Sequence, residues 1–90
     1  MNKKEYLKKI KQSGIKFTYY DFEDESTFPK KDCQYLILYD YDGFCFYMIA
    51  FYKSEYNGFF FDEDCKKEAD IKENGYKTFA YKELKDLIRD

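Results

Sequence analysis

Carboxylates are the residues most able to do chemistry in this chain, because histidine is absent altogether. They gather in three places: Asp21, Glu23, Asp24 and Glu25; Asp40 and Asp42, beside Gly43; and Asp62, Glu63 and Asp64. Two such clusters folded to within a few ångströms could hold a divalent cation and support phosphoryl transfer. A nuclease or phosphoesterase of that kind would draw on Asp40 and Asp62, with Lys53 as the basic group near the metal. The close Glu-x-Lys spacing that would mark such a lysine is missing. Asp40, Asp42 and Gly43 also echo a calcium loop, yet the spaced oxygen positions and closing glutamate of an EF-hand do not follow. Turn formation explains those three residues more simply.

Other chemistries find less support. Without histidine there is no Ser–His or Cys–His pair to activate a nucleophile. The three cysteines, Cys33, Cys45 and Cys65, include no CxxC pair, so a zinc site would need all three thiolates plus a carboxylate or water. Free thiols are the plainer account. Cys33 follows Asp32 and Lys31, but adjacency in sequence does not lower a thiol pKa. The four glycines, Gly14, Gly43, Gly58 and Gly75, each stand where a turn is wanted, and none belongs to a phosphate loop. The expectation is a protein without catalytic residues, metal or cofactor.

Binding is better served. Tyrosine and phenylalanine make up 23% of the 90 residues, far too aromatic for a disordered chain. The formal charge of -2 hides a basic start, with six lysines and one glutamate in residues 1–20. Residues 21–64 then carry eleven carboxylates against three lysines. A negative middle repels a phosphate backbone, so direct nucleic-acid binding is not expected, and the early lysines read as a solvated helix face. Tyr39, Tyr41, Phe44 and Phe46 could stack bases, but Asp40 and Asp42 beside them set the wrong field. The same carboxylates, mixed with Tyr20, Tyr41 and Tyr56 as aromatic anchors, suit a basic groove on a protein partner. The candidate protein-binding set is therefore Asp21, Glu23, Asp24, Glu25, Asp40, Tyr41, Asp42, Tyr56, Asp62, Glu63 and Asp64.

A groove that normally holds DNA or RNA is one such target. In bulk properties the chain is similar to small acidic phage proteins that block bacterial defence nucleases, which points to a nucleic-acid-mimicking inhibitor. Fifteen lysines to one arginine suggest an AT-rich coding sequence, bacterial or phage. The plainer account makes the acidic clusters solvated surface and the aromatics core or homodimer interface, with Tyr39, Phe44 and Phe46 across the two-fold axis. The longest apolar run, Phe44 to Tyr52, is too short to span a membrane, and no signal-peptide core follows the first lysines. A cytoplasmic protein is expected.

These residues need elements to position them. Asn2 caps a helix to about Ser13, with Glu5 as box partner, Tyr6, Leu7 and Ile10 as apolar stripe, and Gly14 as left-handed stop. Ile15 to Tyr20 alternates as a strand. Asp21 to Cys33 is an acidic loop interrupted by Pro29. Gln34–Tyr41 and Phe44–Tyr52 flank Asp42-Gly43, a two-residue type I′ hairpin signal. In that register Tyr41 faces Phe44, Tyr39 faces Phe46, Ile37 faces Met48 and Tyr35 faces Ala50, while Leu36, Leu38, Cys45, Tyr47, Ile49 and Phe51 line the other side. Both sides are apolar, so both need cover. A short strand at Phe59–Asp62 follows, then a charged stretch to Gly75. Tyr76–Phe79 reads as a short strand or as the lead into a last helix, capped by Thr78, with Ala80, Leu84, Leu87 and Ile88 on one face. The expected fold is one α+β domain over residues 1–90: a small three- to four-stranded, mainly antiparallel sheet with a central β-hairpin, flanked by an N-terminal and a C-terminal helix.

Overall fold

The computed structural model describes residues 1–86. Helix α1 spans Lys3–Ser13, and five strands follow: β1 (Thr18–Tyr19), β2 (Gln34–Tyr41), β3 (Phe44–Lys53), β4 (Gly58–Phe60) and β5 (Lys77–Glu83). They form one curled antiparallel sheet in the order β1-β5-β2-β3-β4.

The helix begins as its sequence demands. Asn2 accepts the Glu5 N–H at 3.0 Å, and Glu5 accepts the Asn2 N–H at 3.2 Å, closing a capping box. Gly14 ends it with φ +72, a left-handed conformation that costs glycine nothing. Of the apolar stripe only Tyr6 is buried, while Leu7 stays exposed and Ile10 is half-buried. The hairpin also follows its local signals. Asp42 (φ 51) and Gly43 (φ 87) both take positive φ, as a type I′ turn requires. All four cross-strand pairs from Tyr41–Phe44 to Tyr35–Ala50 are in the expected register.

The sheet is larger than the sequence suggests, and the last helix is replaced. Residues 77–83 form β5, inserted between β1 and β2. Thr78 caps nothing; it is buried, with its N–H on Asp70 Oδ1 at 2.9 Å. The reason is what surrounds the segment. Thr78, Phe79 and Tyr81 suit a pleated surface, and a central position pairs the backbone with neighbours on both sides. A helix there would offer a stripe of a few residues only. Leu84 opens a 3-10 turn, Leu84–Asp86; Leu87 and Ile88 lie outside the described residues. The first strand is also shorter than Ile15–Tyr20, and β4 ends at Phe60 rather than Asp62.

A β-bulge sets how the faces are used. Leu38 pairs with Ala80 and Tyr39 with Thr78, so Phe79 is the extra residue. Phe79 thereby joins Ala80 and Leu38 beneath the helix, where its ring stacks on Tyr6 at 4.4 Å between centroids. The opposite face carries the main core: Tyr20, Tyr35, Ile37, Tyr39, Ala50, Tyr52, Phe59 and Ala69. Phe59 meets Tyr20, Tyr35 and Tyr52 edge-on, at 5.0, 5.9 and 5.2 Å, the arrangement that aromatic quadrupoles favour. The charged stretch 61–76 folds back along β4, with Ala69 N–H on Phe59 O (2.9 Å), and accepts the Tyr39 hydroxyl at Ala69 O. Helix and loop thus cover the two hairpin faces, but near the turn they do so mainly through Tyr6 on Asp40 and Tyr76 on Tyr41, and the outer half of β3 stays largely open.

Candidate functional site

That thinly covered outer half is the most unusual surface of the molecule. Tyr41, Phe44, Phe46 and Met48 on one face, and Tyr47 and Ile49 on the other, are all exposed, Phe44 by 67%. Monomeric proteins seldom leave so many large apolar side chains contiguous. On the first face Tyr41, Phe46 and Met48 line a groove of about 790 Å³. Tyr39 and Phe61, edge to face at 5.4 Å, lie beneath it. Tyr41 stacks on Tyr76 at 4.2 Å and meets Phe46 at 6.1 Å to build one wall. Met48 and Ile71 complete the apolar lining, and Lys66, Lys67 and Glu68 supply charges of both signs. Size and lining match surfaces that bind an apolar ligand or side chain.

The loop beside the groove is held by a carboxylate. Asp62 Oδ1 accepts the Lys66 and Lys67 N–H groups at 3.0 and 2.8 Å. The other sequence-derived candidates divide by what their oxygens do. Asp21 Oδ1 accepts the Glu23 N–H (2.9 Å), and Asp24 Oδ1 accepts Ser26 N–H and Oγ–H (3.1 and 2.7 Å) at the head of a short 3-10 turn. Those donors hold the Asp24 carboxyl below its ordinary pKa. Glu23, Glu25, Asp42, Glu63 and Asp64 are exposed. Asp40 is only 3% exposed and faces inward: Oδ2 accepts the Tyr6 hydroxyl at 2.6 Å and Oδ1 the Gly43 N–H at 2.9 Å. Tyr20 and Tyr39 are likewise inside the core, whereas Tyr56 is exposed, its ring 5.6 Å from Phe60. Of the dimer candidates, Phe44 and Phe46 are at the surface and Tyr39 is beneath them.

Asp40 and Asp62, whose approach a metal enzyme would need, thus sit in separate local networks. Among the described residues no group of three or more His, Cys, Asp or Glu is placed to hold a metal ion. Nor is any described helix long and apolar enough to cross a membrane.

Several residues of interest are not flagged by the sequence. Ile71 joins the groove from the stretch that reads as charged loop, and Phe61 and Tyr76 join it from the segments on either side; their only signal is being apolar. Asp70 is the second. Its Oδ1 takes the Thr78 N–H, while Oδ2 and the nearby Thr78 hydroxyl are shut off from solvent without a hydrogen bond of good geometry. Burial pushes the Asp70 carboxyl up to about 6, opposed by Thr78 and Lys77.

Comparison with protein families, curated proteins and solved structures finds no match to this chain. The functional reading therefore rests on the molecule itself.

Proposed function

We propose that this protein is an interaction module that binds another protein through the outer half of the β2–β3 hairpin. The observation that carries the reading is the exposure of Tyr41, Phe44, Phe46, Tyr47, Met48 and Ile49 on a well-paired hairpin beside an apolar groove. Aromatic anchors on a rigid ribbon lose little entropy on docking and supply the desolvated centre of an interface. The free carboxylates of Glu23, Glu25, Asp42, Glu63 and Asp64 favour a partner of basic character. Their contribution is to encounter rate more than to contact energy, because exposed charges are screened by salt. A basic protein that handles nucleic acid is the partner class that such a surface suits, and an inhibitor of one is the form the activity would take.

Capture by the immobilised protein from a bacterial lysate, at low and high salt, tests the reading. A basic partner retained by the wild type and lost by a Phe44→Ser/Phe46→Ser variant supports it. Neutralising Glu23, Glu25, Glu63 and Asp64 as amides should weaken capture at low salt and change little at high salt. Undiminished capture by the hairpin variant would overturn the assignment of the surface.

A further inference from the structure

Strand β3 outruns its outer neighbour. It spans Phe44–Lys53, but β4 pairs only with Phe51, Tyr52 and Lys53. Among the described residues, Phe44 to Ala50 therefore has no strand on the side away from β2. The turn geometry says which backbone groups are left over. In a two-residue hairpin the flanking residues, here Tyr41 and Phe44, form a hydrogen-bonded pair, and bonding alternates from there. Phe44, Phe46, Met48 and Ala50 direct N–H and C=O to β2, so Cys45, Tyr47 and Ile49 direct theirs outward. Two observations keep to that parity: the Tyr52 N–H reaches Cys33 O on the β2 side at 3.0 Å, and Lys53 O accepts the Tyr56 N–H on the β4 side at 3.1 Å.

Natural sheets blunt an open edge with charge, proline, a bulge or a covering segment. The run Phe44–Tyr52 has no charged residue, no proline and no glycine. Tyr47 and Ile49, whose backbones face outward, are also 55% and 51% exposed as side chains.

We propose that this edge pairs with the same edge of a second copy of the chain, antiparallel across a two-fold axis at Tyr47. The inference rests on the hairpin being a docking surface; it assigns the open β3 edge to a second copy and leaves the groove-side aromatics to the basic partner. The choice of a second copy follows from self-match. With Tyr47 opposite Tyr47 of the other copy, Cys45 falls opposite Ile49 and all three outward residues of each chain are bonded at once. Phe46 then meets Met48 of the other copy on the groove side, and no like charges are opposed. An acidic or basic strand would find no counter-charge along this run, whereas an uncharged copy of itself loses nothing. The dimer joins two sheets into one of ten strands and brings the two apolar grooves side by side, an isologous contact that closes on itself.

Sedimentation equilibrium of the full chain, over a range of concentrations, is the test. The wild type should reach twice its 11.1 kDa mass, and Tyr47→Lys and Tyr47→Glu should each halve that value by setting like charges across the axis. Mixing those two variants should restore the dimer, because Lys then faces Glu. Tyr47→Pro removes an outward N–H that β2 does not use, so it should also give a folded single chain by circular dichroism. A wild type that stays at the mass of one chain, or Tyr47 variants that dimerise unchanged, would overturn the proposal. If such a wild type still loses its captured partner on changing Phe44 and Phe46, the edge pairing fails and the docking surface stands. If such a wild type also captures its partner undiminished after that change, both fail.

Discussion

Tyr6 donates its phenolic hydroxyl to Asp40 at 2.6 Å, which ties the helix to the turn end of the hairpin through a buried carboxylate. Asp40 in turn accepts the Gly43 N–H at 2.9 Å, so one side chain joins helix, strand and turn. Burial, helped by this contact, drives the Tyr6 pKa well above the ordinary tyrosine value. Tyr6→Phe keeps the stack on Phe79 but takes the hydroxyl donor from a buried carboxylate oxygen, which is then left facing the Met1 ammonium at 3.6 Å. The expected loss is about 2–3 kcal/mol, read by urea unfolding. Combined with Asp40→Ala it should cost less than the sum of the two, because the pair acts as one unit. Strict additivity would mean the bond contributes nothing to the native state.

Asp70 sets a pH dependence of the less usual sign. Its folded pKa, about 6, lies above the ordinary aspartate value of 3.8 because burial penalises the charge. The native state therefore holds the proton more tightly than the unfolded chain does. The stability this group contributes is complete below pH ~4 and is lost as pH rises through ~6, an effect of at most about 3 kcal/mol. Asp70→Asn should raise stability at pH 7.5 while changing it little at pH 4, and should flatten the profile between. A variant less stable at pH 7.5 would show that the carboxylate is held by attraction rather than tolerated.

Gly43 isolates the conformational cost of the turn. A Cβ built there meets no atom within 4 Å, yet φ is +87. Gly43→Ala should therefore destabilise by about 1–2 kcal/mol through backbone strain alone. The cross-strand register should survive in backbone amide spectra. A neutral outcome would argue that the turn relaxes to another type.

Truncation around the two ends of β3 should have very unequal effects. Phe59, which packs against Tyr52 near one end, should lose about 3–5 kcal/mol on change to alanine. Phe44→Ser at the other end should alter stability by about 0.5 kcal/mol or less. Binding of an environment-sensitive apolar dye to the native protein should fall on Phe46→Ser/Met48→Ser and be unaffected by Leu7→Ser on the helix. Dye binding that ignores the hairpin change would remove the groove from consideration.

Local chemistry was the legible part of the fold. Asn2, Glu5 and Gly14 define the helix through contacts made within a few residues, and Asp42-Gly43 sets the hairpin turn from which the pairing register follows. Residues 77–83 were not legible in the same way. Ala80 and Leu84 fit a helical spacing, and only the vacancy between β1 and β2, which is a property of the whole chain, makes a strand the better use of them. The site divides similarly. That both hairpin faces are apolar is written in the alternation from Tyr35 to Tyr52. Where their cover stops depends on how far a helix and a loop reach, and no residue of the hairpin encodes that. Asp40 shows the limit most plainly, since its neighbours in sequence suggest a surface turn while Tyr6, distant in sequence, takes it inside.

The place of β5 also governs the order in which the molecule can assemble. The hairpin is a local ribbon that closes in microseconds, but β1 and β2 have no common neighbour until residues 77–83 arrive between them. During synthesis the aromatic ribbon therefore emerges with its β2 side as open as its β3 side, and it waits for a strand made some forty residues after β2 begins. Completion is a late, long-range step with a high entropic barrier. Fragments that stop short of β5 are then not smaller versions of the domain but sticky nascent ribbons, which a cell must shield or degrade.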